Sequence, residues 1–146
     1  MAPKFAYTTL VTNSDYALGA LALARSLRAV GSQHPLIVLT TSQTAGESES
    51  SEGLEQLKKA GAIIHVVDRL PVSEAFTQRH SRQNQHARSP FTKGTKPIFH
   101  DPLDNFCKLR LWQLTDYERI VFLDADTLVV KNIDRLFGYP EFSAAP

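Results

Sequence analysis

Apolar and polar positions alternate along the chain in blocks that predict strands and helices in turn. Aromatic and β-branched residues predict a first strand over residues 5–12. The sequence Asn13-Ser14-Asp15 then supplies helix-capping residues, and apolar residues at helical spacing predict a helix over residues 16–30 that ends at Gly31. This beginning is typical of a protein in which strands and helices alternate.

The next block predicts two more strands, over residues 36–39 and 62–67, the first of them buried on both faces. Residues 40–53 are rich in Ser, Thr, Gly and Glu, and this composition predicts a loop. A short helix closed by Gly61 is predicted from three apolar positions at helical spacing, Leu54, Leu57 and Ala60.

A long segment, residues 68–103, breaks the pattern. It contains four prolines and three of the five histidines, with almost no apolar periodicity. We interpret it as a loop of about residues 68–104 within one domain, because the pattern resumes cleanly afterwards. Its histidines match no zinc-ligand spacing, which favours a solvated loop over a metal site; they are His80, His86 and His100.

After this loop, the pattern predicts a helix over residues 105–114, capped by Asp104, with a core face of Phe106, Leu109 and Trp112. Residues 120–123 predict a fourth buried strand, and residues 128–130 are a second apolar segment. Asn132 is predicted to cap a helical turn over residues 133–137. The whole order predicts an α/β fold with a mainly parallel sheet.

Composition and charge narrow the class of protein. The chain has 146 residues, 42% hydrophobic and 21% charged, which suits one globular domain. A net charge of +1 argues against nucleic-acid binding. Cys107 is the single cysteine, so an intrachain disulfide is excluded. The apolar stretch 16–30 is interrupted by Arg25 and Arg28, so we expect no membrane span, and a cytoplasmic location.

Asp124 and Asp126 are the strongest candidates for chemistry. Side chains two apart in a strand point the same way, so two carboxylates that end a buried strand would converge at its carboxyl end. Such a hard oxygen site suits Mn²⁺ or Mg²⁺ bridged to phosphate oxygens. The alternative is a solvated turn, because with eight aspartates roughly 0.4 such patterns arise by chance. The apolar segments on both sides of the pair argue against that alternative.

The residues around the pair resemble glycosyltransferase family 8, in the branch of glycogenin, galactinol synthase and plant glucuronosyltransferases. The resemblance lies in residues 105–117, 120–130, 132–134 and 136–137, in the opening segments 7–16, 19–21 and 26–27, and in residues 143–146. It leaves out residues 41–51 and 72–103. It implies a GT-A fold, a Rossmann-like nucleotide-diphospho-sugar transferase architecture, and a retaining transfer from a UDP-sugar with Mn²⁺.

The resemblance also implies roles for particular residues. The uridine would be surrounded by Leu10, Thr12, Asn13 and Tyr16. Lys108 would lie near the phosphates. The metal and the ribose would be contacted by Asp124, the Ala125 backbone and Asp126. Of these, the metal ligands would be Asp124 and Asp126. A family arginine that touches the phosphates has only loose candidates here, Arg88 and Lys96. The acceptor would be a carbohydrate, a polyol or a protein, and a homodimer is left open.

The family's second half, including a His-x-x-Gly-x-x-Lys motif that supplies a third metal ligand, has no match in this chain. We therefore expect the 146 residues to be the N-terminal, nucleotide-sugar-binding part of a single GT-A domain, with no catalytic residue assigned. A non-catalytic binding fragment is the first alternative. A phosphatase of the haloacid dehalogenase type is the second, but it needs a threonine where Leu128 stands.

Overall fold

The computed structural model describes residues 4–81 and 101–145, which form an α/β fold. The strands of these ranges are β1 (Phe5–Val11), β2 (Leu36–Thr41), β3 (Ile63–Val67) and β4 (Arg119–Phe122). The α-helices are α1 (Ser14–Ala29), α2 (Ser42–Gly46), α3 (Ser48–Lys59) and α4 (Glu74–Arg79), and 3₁₀ helices span Pro102–Gln113 and Asp134–Gly138.

The strands form one parallel sheet in the order β3-β2-β1-β4. The predicted α/β class with a mainly parallel sheet is confirmed, and the sheet is consistent with the Rossmann-like part of a GT-A fold. The predicted loop of residues 68–104 contains α4 among its described residues, whereas residues 82–100 lie outside the described ranges, and with them Arg88, Lys96, His86 and His100. No helix of the described ranges has the length and apolar character that a bilayer crossing requires.

The first strand and helix form as the sequence predicts. Every residue of β1 after Phe5 is buried, because β1 lies between β2 and β4. The Asn13 side chain caps α1 by accepting a hydrogen bond from the Tyr16 backbone N–H at 2.9 Å. At the other end, Gly31 takes a φ of 71° and its N–H donates to the Arg28 carbonyl. The helix therefore begins directly at the carboxyl end of β1.

The polar stretch 40–53 is not the loop that its composition predicted, since the end of β2, α2 and the first half of α3 lie within it. Thr41 caps α2 by accepting a hydrogen bond from the Thr44 backbone N–H at 3.2 Å. The buried face of α3 consists of residues at helical spacing, Ser50, Leu54 and Leu57. The prediction was wrong because a helix packed on one side needs few apolar residues, and its other positions are free to be polar.

Both faces of the sheet are covered. On one face α1 and α3 pack over a cluster that includes Tyr7, Val11 and Val38. On the other face the 102–113 3₁₀ helix packs over a second cluster, formed by Ala6, Leu10, Ile37, Leu39, Val67, Cys107 and Leu114. This layering is the general solution for a parallel sheet, whose strands are apolar on both sides.

The helix predicted over residues 105–114 is a 3₁₀ helix that begins earlier, and its predicted core face is wrong. Trp112 is 64% exposed and Leu109 is 52% exposed, whereas Cys107 is fully buried. In a 3₁₀ helix residues three apart line up, so the row that contains Asp104 and Cys107 faces the sheet and the row that contains Leu109 and Trp112 faces outward. The N-terminal cap is Asp101, which accepts a hydrogen bond from the Leu103 N–H at 3.0 Å.

Asp104, which was predicted to cap this helix, instead pairs with Arg69. Its Oδ1 lies 2.6 Å from Arg69 Nε, and Asp101 Oδ2 lies 3.1 Å from Arg69 Nη2. Arg110 donates to the backbone carbonyls of Asp68 and Arg69 at 3.0 and 3.2 Å. These contacts hold the segment that follows β3 against the 3₁₀ helix.

The apolar segments on both sides of the acidic pair are less buried than predicted. β4 pairs with β1, and its other edge has no strand partner within the described ranges, so its residues are only partly buried. After the pair, Leu128 is 66% and Val130 85% exposed, while Val129 packs against the α1 side of the core. The expectation of burial on both sides of the pair was therefore wrong.

The second 3₁₀ helix is tied to the sheet by Asp134. Its Oδ1 accepts hydrogen bonds from Tyr7 Oη and Ser32 Oγ, both at 2.7 Å. Burial opposes ionisation, but the hydrogen bonds from Ser32, Tyr7, Gln33 and Asn132 outweigh it and lower the pKa of Asp134 below its usual value. Asn132 Oδ1 in turn accepts from the Asp134 backbone N–H at 2.9 Å, but Ile133 holds the N-cap position, so the predicted cap at Asn132 lies one residue too early.

Candidate functional site

The carboxyl ends of β1 and β4 place most of the predicted site residues at one edge of the sheet. The two strands are parallel neighbours, with Thr8 opposite Phe122, and the Leu123 N–H donates to the Thr8 carbonyl at 2.9 Å. The segment 10–16 therefore leaves the sheet at the same edge as the segment 124–126. In open α/β sheets this edge is where ligands bind.

Asn13 is the most informative residue of the first segment. Its side chain is buried, with 6% of the residue exposed, and its Oδ1 is used by the cap of α1. Its Nδ2 has no hydrogen-bond partner within the described residues. A buried N–H without an acceptor is costly, so this amide suits a ligand that presents a carbonyl or hydroxyl oxygen.

The other residues of this segment differ in what they can offer. Leu10 is buried under the first 3₁₀ helix, so it can form only the wall of a site. Thr12 is half-buried, and its backbone carbonyl accepts from Thr44 Oγ1 at 3.1 Å. Tyr16 is half-buried and packs in part against the core under α1.

The acidic pair lies in a turn that follows β4, not in the strand itself. Residues 125 and 126 form the turn, and both the N–H and the hydroxyl of Thr127 donate to the Asp124 carbonyl, at 3.2 and 2.7 Å. The premise that strand alternation aligns the two carboxylates was therefore wrong. Asp124 and Asp126 are both exposed, and they reach the edge of the sheet from the turn.

The turn is anchored on α1 through a residue that lacks a side chain. A Cβ on Gly19 would lie 2.5 Å from the Ala125 carbonyl oxygen, closer than real Cβ contacts allow. Ala125 itself is buried, with 6% of its surface exposed. Gly19 thus lets the acidic turn rest directly on the helix backbone, a role that the sequence pattern of α1 did not reveal because glycine there only weakens a helix.

Lys108 is the cation of the site. Its Nζ lies 2.8 Å from Asp124 Oδ1 and 4.9 Å from the centroid of the Phe122 ring. The first 3₁₀ helix brings Lys108 over the end of β4, whereas its neighbour Cys107 points into the core. The family resemblance implied that Lys108 lies near the phosphates, but its pairing with Asp124 was not predicted, because the two residues lie 16 positions apart.

Asp124 and Asp126 are the side chains of this turn that could hold a divalent cation. Asp124 and Asp126 supply hard carboxylate oxygens, the ligands preferred by Mn²⁺ and Mg²⁺. Across residues 4–81 and 101–145, no group of three or more His, Cys, Asp or Glu side chains is assembled for a metal. Two carboxylates leave coordination positions for phosphate oxygens and water, and Lys108 competes for one of the Asp124 oxygens.

Comparison with known proteins agrees with this architecture. Residues 7–141 match glycosyl transferase family 8. The chain is 36% identical over 140 residues to the UDP-glucuronate:xylan alpha-glucuronosyltransferase 1 of Arabidopsis thaliana, covering 95% of this chain and 17% of that protein.

The glycogenins are about as similar. Glycogenin-1 of Caenorhabditis elegans is 36% identical over 140 residues, covering 96% of this chain and 28% of that protein. Human glycogenin-1 is 36% identical over 141 residues, covering 97% of this chain and 34% of that protein. The chain therefore spans well under half the length of these relatives.

Proposed function

The chain belongs to glycosyl transferase family 8, and on that premise we propose that it binds a UDP-sugar with Mn²⁺ and takes part in transferring the hexosyl group to an acceptor with retention of configuration. The observation that carries the proposal is the common edge of β1 and β4, at which three features lie: the buried Asn13 Nδ2, which has no partner among the described residues, the exposed acidic turn, and Lys108. A nucleoside diphosphate needs an amide to recognise its base and charged groups to hold its phosphates.

Each residue has a distinct part in this proposal. Asn13 Nδ2 donates to an oxygen of the base, and Tyr16 offers an aromatic ring beside it. Lys108 places positive charge beside the phosphates. Asp124 and Asp126 hold the cation, with the Ala125 backbone between them. When bound, the cation offsets the charge of the diphosphate and so stabilises it as a leaving group.

A carbohydrate, a polyol or a protein is the expected acceptor, and the names of the relatives above include both a xylan transferase and glycogenins. A second candidate is nucleotide-sugar binding without transfer, because every residue assigned a role above faces the nucleotide or its cation and none is assigned to an acceptor. A cytoplasmic location and a homodimer are further proposals, and both rest on the sequence alone.

The first test is calorimetric titration of UDP into the chain with and without Mn²⁺. We expect UDP to bind in the presence of Mn²⁺ and to lose about tenfold or more in affinity in Asp126→Ala, because one of two protein ligands is lost. The matched control is Asp116→Ala, which removes an exposed aspartate from the turn before β4, at the opposite end of that strand. Binding of UDP that is indifferent to Mn²⁺ would contradict the metal bridge.

A turnover assay then separates the two candidates. The chain is incubated with Mn²⁺ and with UDP-glucose, UDP-galactose or UDP-glucuronate, and the release of UDP is followed. Release that requires Asp126 supports transfer or hydrolysis of the donor. Metal-dependent UDP binding without release supports the binding function.

A further inference from the structure

The contact between Lys108 and Asp124 places a positive charge beside a predicted metal ligand. The ammonium lies 2.8 Å from Asp124 Oδ1, and the Lys108 side chain is the less exposed of the two, at 39% against 60%. Its ammonium also lies over the Phe122 ring, which adds a favourable contact in this position. In the chain without ligands, Lys108 therefore occupies space beside Asp124 and offsets part of the negative charge that would attract a cation there.

This contact has opposite consequences for metal binding with and without a diphosphate. Without the diphosphate, a divalent cation must displace the ammonium from one carboxylate oxygen and remain close to its positive charge. With the diphosphate, the phosphate oxygens give the ammonium a new partner, and its charge helps to hold the anion that bridges to the cation.

We propose that Lys108 makes cation binding at Asp124 and Asp126 conditional on the donor diphosphate. The inference rests on the proposed function. It states in addition that the lysine weakens binding of the metal alone and strengthens binding of the metal together with the nucleotide. Because coupling between two ligands is reciprocal, Mn²⁺ raises the affinity for UDP by the same factor by which UDP raises the affinity for Mn²⁺.

The variant that tests this is Lys108→Met, which keeps an unbranched side chain one atom shorter and removes its charge. Free Mn²⁺ is measured by electron paramagnetic resonance, without UDP and with saturating UDP. We expect Lys108→Met to bind Mn²⁺ alone roughly threefold to tenfold more tightly than the wild type, because the competing charge is gone. The gain in Mn²⁺ affinity on adding UDP is expected to shrink by a similar factor or more.

Two further variants control for charge and folding. Lys58→Met removes a lysine that lies 2.6 Å from Glu55 on the exposed side of α3, and it is expected to leave both Mn²⁺ affinities unchanged. Lys108→Arg keeps the charge and is expected to retain the weak binding of Mn²⁺ alone. Circular dichroism on all three variants shows whether the fold is retained.

The outcomes separate this inference from the proposed function. If the wild type binds UDP only with Mn²⁺ but Lys108→Met binds Mn²⁺ alone no more tightly than Lys58→Met, the inference is wrong and the proposed function stands. If Lys108→Met binds Mn²⁺ alone more weakly, the lysine supports the metal and the inference is likewise wrong. If the wild type binds neither Mn²⁺ nor UDP, both fail together.

Discussion

Asn13 uses the two ends of its amide in different ways. The oxygen completes the first turn of α1, and the nitrogen is buried without a partner among the described residues. An unsatisfied buried N–H costs about 1–3 kcal/mol, so a ligand oxygen that accepts from it relieves a cost already present in the folded chain. The strength of the helix cap and the proposed contact with the base can therefore be changed separately at this position.

Replacing Asn13 by Ser separates these two contributions. Serine caps helices about as well as asparagine and removes the N–H that costs about 1–3 kcal/mol, so we expect the free energy of unfolding to stay the same or to rise. The serine lacks the buried N–H, so the affinity for UDP is expected to fall by about tenfold. Urea unfolding and calorimetry measure the two effects.

The companion variant is Asn13→Ala, which removes both groups. It is expected to lose the same affinity and to be about 1 kcal/mol less stable than Asn13→Ser, because the helix cap is lost as well. Wild-type affinity for UDP in Asn13→Ser would show that the amide does not contact the nucleotide.

At the scale of elements, the acidic turn depends on its fit against α1. Ala125 rests on the helix at Gly19, and Val129 N–H donates to Ser26 Oγ on the same helix at 3.0 Å. The turn is thus held by a helix that begins at the carboxyl end of β1, the strand next to β4. One helix connects the part of the site predicted for the base with the part predicted for the metal.

A methyl group at Gly19 is expected to disturb this connection. Gly19→Ala would place its Cβ against the Ala125 carbonyl, and the overlap with backbone is expected to cost about 1–3 kcal/mol of stability or to displace the turn. Displacement of the turn is expected to weaken Mn²⁺-dependent binding of UDP, whereas a loss of stability with the turn in place leaves that binding unchanged. Thermal unfolding and calorimetry of the same samples distinguish them.

The control for this substitution is Gly46→Ala, since a Cβ on Gly46 meets nothing within 4 Å. We expect it to leave UDP binding unchanged. Wild-type binding and stability in Gly19→Ala would mean that the turn is not held by this contact.

Sequence patterns are sufficient to predict some of the strands and helices but not the buried face of every helix. β1, α1, β2 and β3 follow from apolar runs and from caps such as Asn13 and Gly31, because these signals are local. The residues of the first 3₁₀ helix that face the sheet do not follow from such signals. With three residues per turn instead of 3.6, the buried position is Cys107 and not Trp112.

The candidate site could be predicted only in part. Its residues at the ends of β1 and β4 were found from the sequence and its family resemblance. The turn geometry of Asp124 and Asp126, the Lys108 pairing and the Gly19 contact depend on packing between distant segments, which no local pattern encodes.

At the scale of the whole molecule, Asp134 joins three separate parts of the chain. It accepts hydrogen bonds from Tyr7 on β1 and from Ser32 and Gln33 between α1 and β2. Burial, together with the hydrogen bond and charge of Asp134, raises the pKa of Tyr7 above its usual value, so both groups keep their neutral-pH forms in the fold. The stability of the chain is therefore linked to the ionisation of this carboxylate.

This linkage predicts how stability changes in acid. A carboxylate with a lowered pKa contributes stability that is complete above its unfolded pKa, about 3.9, and is lost as the pH falls through its lower folded pKa. Asp134→Asn removes the ionisation, so the wild type is expected to be more stable near neutral pH and the difference is expected to shrink below about pH 4. Urea unfolding of both proteins over this range measures the difference.

Asp116→Asn is the control, because Asp116 is an exposed residue in a turn. Its difference from the wild type is expected to stay small and flat with pH. A constant difference between the wild type and Asp134→Asn at every pH would contradict the linkage.

The parallel pairing of β1 with β4 also has a consequence for the order of events during folding. β1, α1 and β2 are close in sequence and can come together early, but Tyr7 and Asp134 are 127 positions apart. Closing so long a loop costs chain entropy before its contacts form, and such non-local contacts slow folding. During synthesis on the ribosome, the first strands would emerge and collapse while their partner strand was still untranslated. The edge that β1 and β4 share is thus expected to form after β1, α1 and β2 have come together.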